Sequence, residues 1–404
     1  METDSKRIVR YFSVVQLLFF SATALWSYCN VYFRELGFSG QEIGLMTAAG
    51  MALVLVVLPV LGVISDRIRS PKTVFLGLLL VIFPLYLLLP LAGTFLGKRM
   101  VPFTILVMLL LAGVQAAVAM IDAWSGEALE MLNRSYGSVR RYGSLGFIGI
   151  VLLASVVVGP VLPAWSCCIL MPLLGFPLIV LIWKKQPWEG TSVQKQEKTI
   201  RTGKILSMVL KNYYFVTYLV FIAGYYVFVS IVDLSVSYLM DYIHVRQSSL
   251  GIIYGVRAAL EIVGMIVLGR VKKQPPLWVL LVIAGVMSAA ENLLYPCVDG
   301  MAGMLALTLL SGIGGGIFYG IGANYVLRIV DHRAASTAMS VIGMVHAMVS
   351  IVATSLGGTV IDNYGVIALT TSVGLLLMVV SVVFAGTCVV GRRILKLPYV
   401  TEAN

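Results

Sequence analysis

Twelve long apolar segments run through the chain, and they constrain its fold more than any other feature. A helix needs about 20 mainly apolar residues to cross a bilayer, and backbone groups in lipid must be satisfied within the segment. These runs are too long and too uniformly apolar for barrel strands. The predicted spans are 10–33, 41–65, 73–95, 101–128, 141–160, 164–183, 212–240, 248–269, 276–297, 301–326, 335–360 and 365–390. The sequence therefore predicts an all-α integral membrane protein with twelve transmembrane helices.

Composition excludes a soluble globular protein, because 59% of the 404 residues are hydrophobic and only 12% are charged. The N-terminus METDSKRIVR carries no evident cleavable signal, so we expect the first helix to remain. The five cysteines show no metal-ligand or redox spacing, so we interpret them as packing residues and expect neither a metal nor a cofactor. No nucleophile, base and oxyanion set converges, which argues against an enzyme.

The net charge of +11 is distributed by topology. Alternate connections carry most cations: Lys6, Arg7, Arg10; Arg67, Arg69, Lys72; Arg134, Arg140, Arg141; Lys184, Lys185, Lys195, Lys198, Arg201, Lys204; Arg270, Lys272, Lys273; Arg328, Arg333; Arg392, Arg393, Lys396. The other side has only Arg34, Lys98, Arg99 and Arg246. The positive-inside rule then predicts that both termini are cytoplasmic. We expect a multi-pass protein of the inner (plasma) membrane, in contact with lipid. The same distribution argues against a nucleic-acid partner.

A polar, basic connection near the middle of the chain, WKKQPWEGTSVQKQEKTIRTGK, predicts two six-helix halves. We assign residues 1–183 to the N-terminal half, 184–206 to a cytoplasmic loop and 207–404 to the C-terminal half. An internal repeat supports this division: Gly44 is followed after 18 residues by Gly62, and Gly251 after 18 residues by Gly269. Paired spacings of this kind are typical of secondary transporters with duplicated, pseudo-symmetric halves.

The loop after the second helix, GVISDRIRSPK, contains Gly62, Asp66, Arg67 and Arg69. It resembles the cytoplasmic signature of the major facilitator superfamily. The resemblance implies the twelve-helix major facilitator fold, in which this loop acts as a cytoplasmic gate. Gly62 would allow a close helix approach, and the Asp66 carboxylate would bridge helix ends and arginines. The alternative is an ordinary positive-inside loop, which explains neither Gly62 nor Asp66.

Asp122 lies deep in the fourth span and Arg140 opens the fifth, within AMIDAWSGEALEMLNRSYGSVRRYGSLGF. A charge in hydrocarbon costs at least about 2.5–3.5 kcal/mol, so such residues usually face a partner, a cavity or a substrate. The part YGSVRRYGSLGF resembles the lactose-permease, nucleoside-permease and phenylpropionate-permease group. By that resemblance, Asp122 and Arg140 match the acid and arginine that jointly hold the substrate. The alternatives are that the two merely tie their helices together, or that Arg140 caps the cytoplasmic end of its helix.

Aromatic residues accompany these charges, and Trp26, Trp124 and Tyr226 are candidates to stack on a substrate. Most aromatic residues in membrane proteins serve packing or interface anchoring instead, and that alternative stays open for each.

Arg257 and Glu261 in the eighth span are four residues apart and share one helix face, which makes them candidates for proton coupling. A glutamate at about this place also resembles the phenylpropionate-permease branch. The alternative is a permanent structural salt bridge. Asp233 in the seventh span is a second candidate proton site, and Glu291 could serve either role or pair with Arg257. The tenth span lacks the charged cluster of lactose permease, so neither its proton pathway nor lactose itself is expected to carry over.

These features predict an alternating-access permease with a polar cavity near the midplane. We expect a proton-coupled symporter importing a small polar solute, a sugar or oligosaccharide ahead of a nucleoside or aromatic acid, without need of an oligomer. The competing hypotheses are proton-coupled efflux of amphipathic compounds and a non-transporting membrane sensor on the same scaffold.

Overall fold

The structure, a computed structural model, describes residues 2–68, 70–132, 134, 136–184, 208–270, 275–331 and 334–397. Within these ranges the long helices are α1 (Glu2–Ala24, continued by a 3-10 turn at Leu25–Tyr28 and by Cys29–Glu35), α2 (Gly40–Ile68), α3 (Pro71–Leu96), α4 (Met100–Met131), α5 (Gly137–Val157), α6 (Ser166–Lys184), α7 (Tyr213–Tyr242), α8 (Leu250–Arg270), α9 (Leu277–Leu294), α10 (Gly300–Ile329), α11 (Ala335–Tyr364) and α12 (Val366–Arg393). The only β-type pairing in the described ranges is an isolated bridge between Val158 and Leu162.

All twelve helices are long and apolar enough to cross a membrane, so the predicted number of spans is confirmed. Several helices extend beyond the predicted ends, and α1 begins at Glu2 rather than at residue 10. Hydropathy marks only the part of a helix that lies in hydrocarbon. The backbone hydrogen bonds continue into the polar interface, where charged side chains such as Lys6 and Arg10 are tolerated.

Side-chain caps mark where several helices begin. Ser39 and Glu42 form a reciprocal capping box at the start of α2: the Ser39 amide donates to Glu42 Oε2 at 2.8 Å, and the Glu42 amide donates to Ser39 Oγ at 3.2 Å. The Asn212 side chain accepts from the Phe215 amide at the start of α7. These caps satisfy amides that a helix cannot pair internally, which explains why the chain turns at these positions.

The chain divides into two compact units. The first unit comprises Met1–Lys195 with Arg246–Gly255, and the second comprises Gln196–Val245 with Val256–Asn404. In the first unit α1 packs against α5 and α6, while α3 packs against α4 and α6. In the second unit α7 packs against α11 and α12, while α9 packs against α10 and α12. Each of these helix pairs in the first unit thus recurs in the second unit six helices later, as expected of a duplicated sequence.

Each unit has an aromatic core. Phe12, Phe19 and Phe75 are fully buried in the first unit, and Tyr218 and Phe221 in the second. Many large apolar side chains remain exposed along the helices, among them Val56, Val156, Leu173, Phe176 and Val382. Exposed apolar surface of this extent is expected of helices that face lipid.

Candidate functional site

Asp122 and Arg140, the two charges that the sequence singles out in the first unit, both lie close to Tyr136. Asp122 is half-buried in α4, nine residues or about 14 Å before the helix ends. Arg140 lies in the first turn of α5. The Tyr136 hydroxyl, in the α4–α5 connection, donates to Asp122 Oδ1 at 2.5 Å. The Arg140 guanidinium lies 3.9 Å from the centre of the Phe20 ring.

Asp122 and Arg140 do not form an ion pair with each other in the described residues, although both act on Tyr136. Burial raises the pKa of the Tyr136 phenol most, and the hydrogen bond to Asp122 raises it further. Tyr136 therefore stays neutral at physiological pH and remains a donor to the carboxylate. The acid and the guanidinium are placed beside the same hydroxyl without neutralising each other directly.

Gln16 of α1 completes this cluster. Its side chain is fully buried, its Nε2 donates to Ser125 Oγ at 3.3 Å, and it lies beside the Tyr136 hydroxyl. Gln16 Oε1 is buried and has no hydrogen-bond partner in the described part of the chain. A buried polar atom without a partner costs free energy, so it marks a place where another donor would be stabilising.

A glycine of α5 brings α1 close enough to form the cluster. A Cβ at Gly146 would lie 2.5 Å from the Leu17 carbonyl oxygen and 2.6 Å from the Ser21 hydroxyl. Because those atoms belong to the helix backbone and to a short side chain, α1 could not stay in place beside a larger residue. This contact keeps Gln16 and Phe20 against the segment that carries Arg140.

The three aromatic candidates have different surroundings. Trp124 is 2% exposed and packs edge-on against Tyr11 and Phe12, so its position favours the packing alternative. Trp26 is half-buried near Tyr86, with ring centres 6.0 Å apart. Tyr226 is half-buried in the second unit, where its ring lies 4.2 Å from that of His346.

The second unit contains an ion pair where the sequence predicted one. Arg257 Nε lies 3.7 Å from Glu261 Oε1 on one face of α8, and both side chains are largely buried. The Arg257 guanidinium also lies 5.3 Å from the centre of the Phe228 ring of α7. The guanidinium thus has a carboxylate and an aromatic ring as neighbours, both of which stabilise its positive charge.

A second acid, Glu291 of α9, lies within electrostatic range of Arg257. Glu291 is 2% exposed, and its Oε1 accepts from the Tyr295 hydroxyl at 3.1 Å. Its Oε2 has no hydrogen-bond partner within the described ranges. Asp233 of α7 is exposed and acts electrostatically on Glu261. Two buried carboxylates therefore share one guanidinium, with a third acid nearby.

The glycine-rich run of α10, SGIGGGIFYGIGAN, allows α8 to approach. A Cβ at Gly316 would overlap the Glu261 carbonyl oxygen, and one at Gly315 would lie 3.2 Å from Glu261 Oε1. The glycines of this run thus allow close packing of α10 against α8. It also places the Glu261 carboxyl group against a surface without side chains.

The four proposed gate residues are only partly described. Arg67 is exposed near the end of α2, whereas the side chain of Asp66 and the whole of Arg69 lie outside the described residues. Gly62 was expected to admit a neighbouring helix, but no described atom lies within 4 Å of the position that its Cβ would take. The close approach expected at Gly62 is therefore absent from the described structure.

Sequence reasoning missed the parts played by Tyr136, Gln16 and Phe20. Tyr136 belongs to a recognised motif, yet no pattern indicates that its hydroxyl reaches back to Asp122. Gln16 and Phe20 are four residues apart on one face of α1, and a glutamine in an apolar helix is a signal that could have drawn attention. Their assignment to the cluster required knowledge of which helix packs on α5.

Twelve apolar helices in two units, each with a group of partly buried charges, define a multi-pass membrane protein of the transporter type. Residues 9–386 match the MFS_1-like family, and the chain belongs to that family. The family consists of transporters, so the prediction that the chain is not an enzyme is confirmed, as is the predicted major facilitator fold.

Known proteins agree with this assignment. The chain is 30% identical to the maltose permease of Geobacillus stearothermophilus over 137 residues, which cover 34% of each chain, so the match spans about a third of that relative. A crystal structure of a mutant nucleoside transporter NupG has a TM-score of 0.81 at 14% identity, covering 94% of this chain and 99% of the other. An auto-inhibited POT family peptide transporter has a TM-score of 0.76 at 11% identity, covering 98% and 99%. At these identities the likeness shows only that this chain shares its fold with the two structures.

Proposed function

We propose that this protein is a proton-coupled symporter that imports a small polar organic solute by alternating access. A sugar or oligosaccharide is favoured, ahead of a nucleoside or an aromatic acid. Membership of a transporter family supports the general activity. The partial match to a maltose permease supports the sugar class, and the fold shared with a nucleoside transporter keeps nucleosides as the next candidates.

The observation that carries the proposal is the separation of Asp122 from Arg140. A structural ion pair would join the two charges directly. Instead, Tyr136 donates to one oxygen of Asp122, and the Arg140 guanidinium lies against the Phe20 ring rather than against a carboxylate, so its N–H groups can donate to a ligand. A carboxylate that accepts and a guanidinium that donates in pairs are suited to the hydroxyls of a sugar. The unpaired Gln16 Oε1 offers a further acceptor.

The charges of the second unit support proton coupling. If Glu261 and Glu291 were both ionised beside Arg257, one net negative charge would remain in the membrane interior. Such a charge is costly, and a proton on one of the acids removes it. Glu261 is the candidate carrier because it is the more exposed of the two and has Arg257 as a direct partner. Asp233, which acts on Glu261, is the second candidate.

Trp26, Trp124 and Tyr226 remain proposed substrate contacts, with Trp124 the weakest of them because of its burial. Gly62, Asp66, Arg67 and Arg69 remain the proposed cytoplasmic gate. The basic loops support an inner-membrane location with both termini in the cytoplasm. The shared pairing pattern of the two units supports a duplicated origin of residues 1–183 and 207–404.

Uptake by proteoliposomes tests the proposal directly. The purified chain would be reconstituted, an inward proton gradient imposed, and labelled maltose, uridine and phenylpropionate supplied separately, with protein-free liposomes as the control. Accumulation of one solute above its external concentration, abolished by a protonophore, is the expected result. Gradient-driven extrusion would indicate the efflux hypothesis instead. Binding without flux would indicate a sensor.

A further inference from the structure

A groove of about 570 Å³ lies between the N-terminal half of α1 and the start of α5, in the first unit. Its polar end is lined by four cations, Lys6 and Arg10 from α1 and Arg134 and Arg141 from the α4–α5 connection and α5. All four cations are exposed. The proposed transport cycle does not use these residues.

The cations share one stripe of α1 with apolar residues. Lys6, Arg10, Ser13 and Leu17 follow each other at helical spacing, so they lie on one face and all line the groove. Val14 and Leu17 are 41% and 36% exposed. From Lys6 to Leu17 the groove extends about 16 Å along the helix, at 1.5 Å per residue. One end is therefore strongly basic and the other apolar, as a lipid with a charged headgroup requires.

Hydrogen-bond donors accompany the charges. Ser138 Oγ is enclosed and has no hydrogen-bond partner among the described residues. No side chain caps the amides at the start of α5, where Ser138 lies, and the N-terminus of a helix attracts anions. The Arg141 guanidinium lies 5.2 Å from the centre of the Tyr142 ring, which orients it at the groove wall.

We propose that this groove binds a phosphate-bearing anion, supplied as the headgroup of an anionic phospholipid whose acyl chain lies along Val14 and Leu17. The positive-inside rule alone requires only that positive charge lie on one side of the membrane. It does not require four cations to meet at one groove with an unpaired hydroxyl. Basic pockets between helices at a membrane surface are the kind of site that binds acidic lipid headgroups.

Native mass spectrometry of the delipidated full chain in detergent tests the proposal. Dioleoyl-phosphatidylglycerol and dioleoyl-phosphatidylcholine would be titrated separately. We expect one phosphatidylglycerol to bind well before phosphatidylcholine does. In the double variant Arg10→Gln with Arg141→Gln, that affinity should fall roughly 30-fold, about fivefold for each cation removed. Equal binding of the two lipids would overturn the proposal.

A matched control removes two exposed arginines elsewhere on the basic side, Arg328→Gln with Arg393→Gln. It should retain its affinity for phosphatidylglycerol, and an equal loss there would reduce the groove to general surface charge. Ser138→Ala serves as a milder variant with the charges intact, and an unchanged affinity in it and in the arginine double variant would reject the site. Inorganic phosphate at millimolar concentration should not displace the lipid; full displacement would mean that a free anion, not a lipid, is recognised.

Discussion

The two charged clusters of the molecule are built on opposite principles. In the first unit, Asp122 and Arg140 flank a neutral tyrosine and are not paired with each other. In the second, Arg257 pairs directly with Glu261 and also lies near Glu291. The first cluster therefore leaves hydrogen-bonding capacity for a ligand. The second is compensated internally, except for a surplus of negative charge that a proton can remove.

The difference indicates that the two clusters have different roles. A ligand site has to offer groups that are oriented but not already satisfied, whereas a proton site has to hold an acid whose charge depends on its surroundings. Tyr136 supplies the orientation in the first cluster, and Arg257 controls the surroundings in the second. Four substitutions test these two roles and the helix packing that supports them, beginning with the largest expected effect.

Asp122→Asn should weaken substrate binding by about 10- to 100-fold, because it removes a charged acceptor while keeping its shape. The measurement is equilibrium binding of the transported solute to the purified variant. Glu130→Gln, on the exposed side of the same helix, is the matched control and should bind normally. Unchanged affinity in Asp122→Asn would leave the cluster with a purely structural role.

Gly316→Ala should destabilise the protein by about 1–3 kcal/mol, because the new Cβ meets the Glu261 carbonyl oxygen and α8 must move. The apparent melting temperature in detergent should fall. Gly343→Ala is the control, since no described atom lies within 4 Å of its Cβ position. A variant at Gly316 as stable as the one at Gly343 would show that α8 and α10 can separate without loss.

Glu261→Gln should abolish gradient-driven accumulation while leaving solute exchange intact. With one proton per solute, one pH unit supports about tenfold accumulation, and the variant should reach a ratio near one. Glu291→Gln is the companion variant and should still accumulate solute. Loss in Glu291→Gln with accumulation by Glu261→Gln would transfer the role to Glu291.

Tyr136→Phe should weaken substrate binding by roughly fivefold, about 1 kcal/mol, because Asp122 loses the donor that orients it. Tyr11→Phe is the control, as the Tyr11 hydroxyl is buried without a hydrogen-bond partner in the described residues. If Tyr136→Phe lowered the melting temperature but not the affinity, its hydrogen bond would serve helix packing rather than the ligand.

Much of this architecture follows from local sequence. Twelve spans can be counted because hydrocarbon admits only helices of a minimum apolar length, and Asp122, Arg140, Arg257 and Glu261 stand out because charges there are costly. The Arg257–Glu261 pair was predictable from four-residue spacing alone. The arrangement of Asp122 and Arg140 in the first unit was not predictable in this way, since it depends on Tyr136 and on the packing of α1.

The sequence by itself determined the number of spans, the basic loops and the charged positions, because each depends on one residue or one helix and its solvent. The tertiary structure decided which side chains meet. Gln16 lies beside Tyr136 and Ser125 because Gly146 admits α1, and Glu291 lies near Arg257 because α9 and the part of α8 from Val256 onward belong to one unit. Contacts between helices depend on the packing of whole surfaces, and the spacing of residues within one helix does not predict that packing.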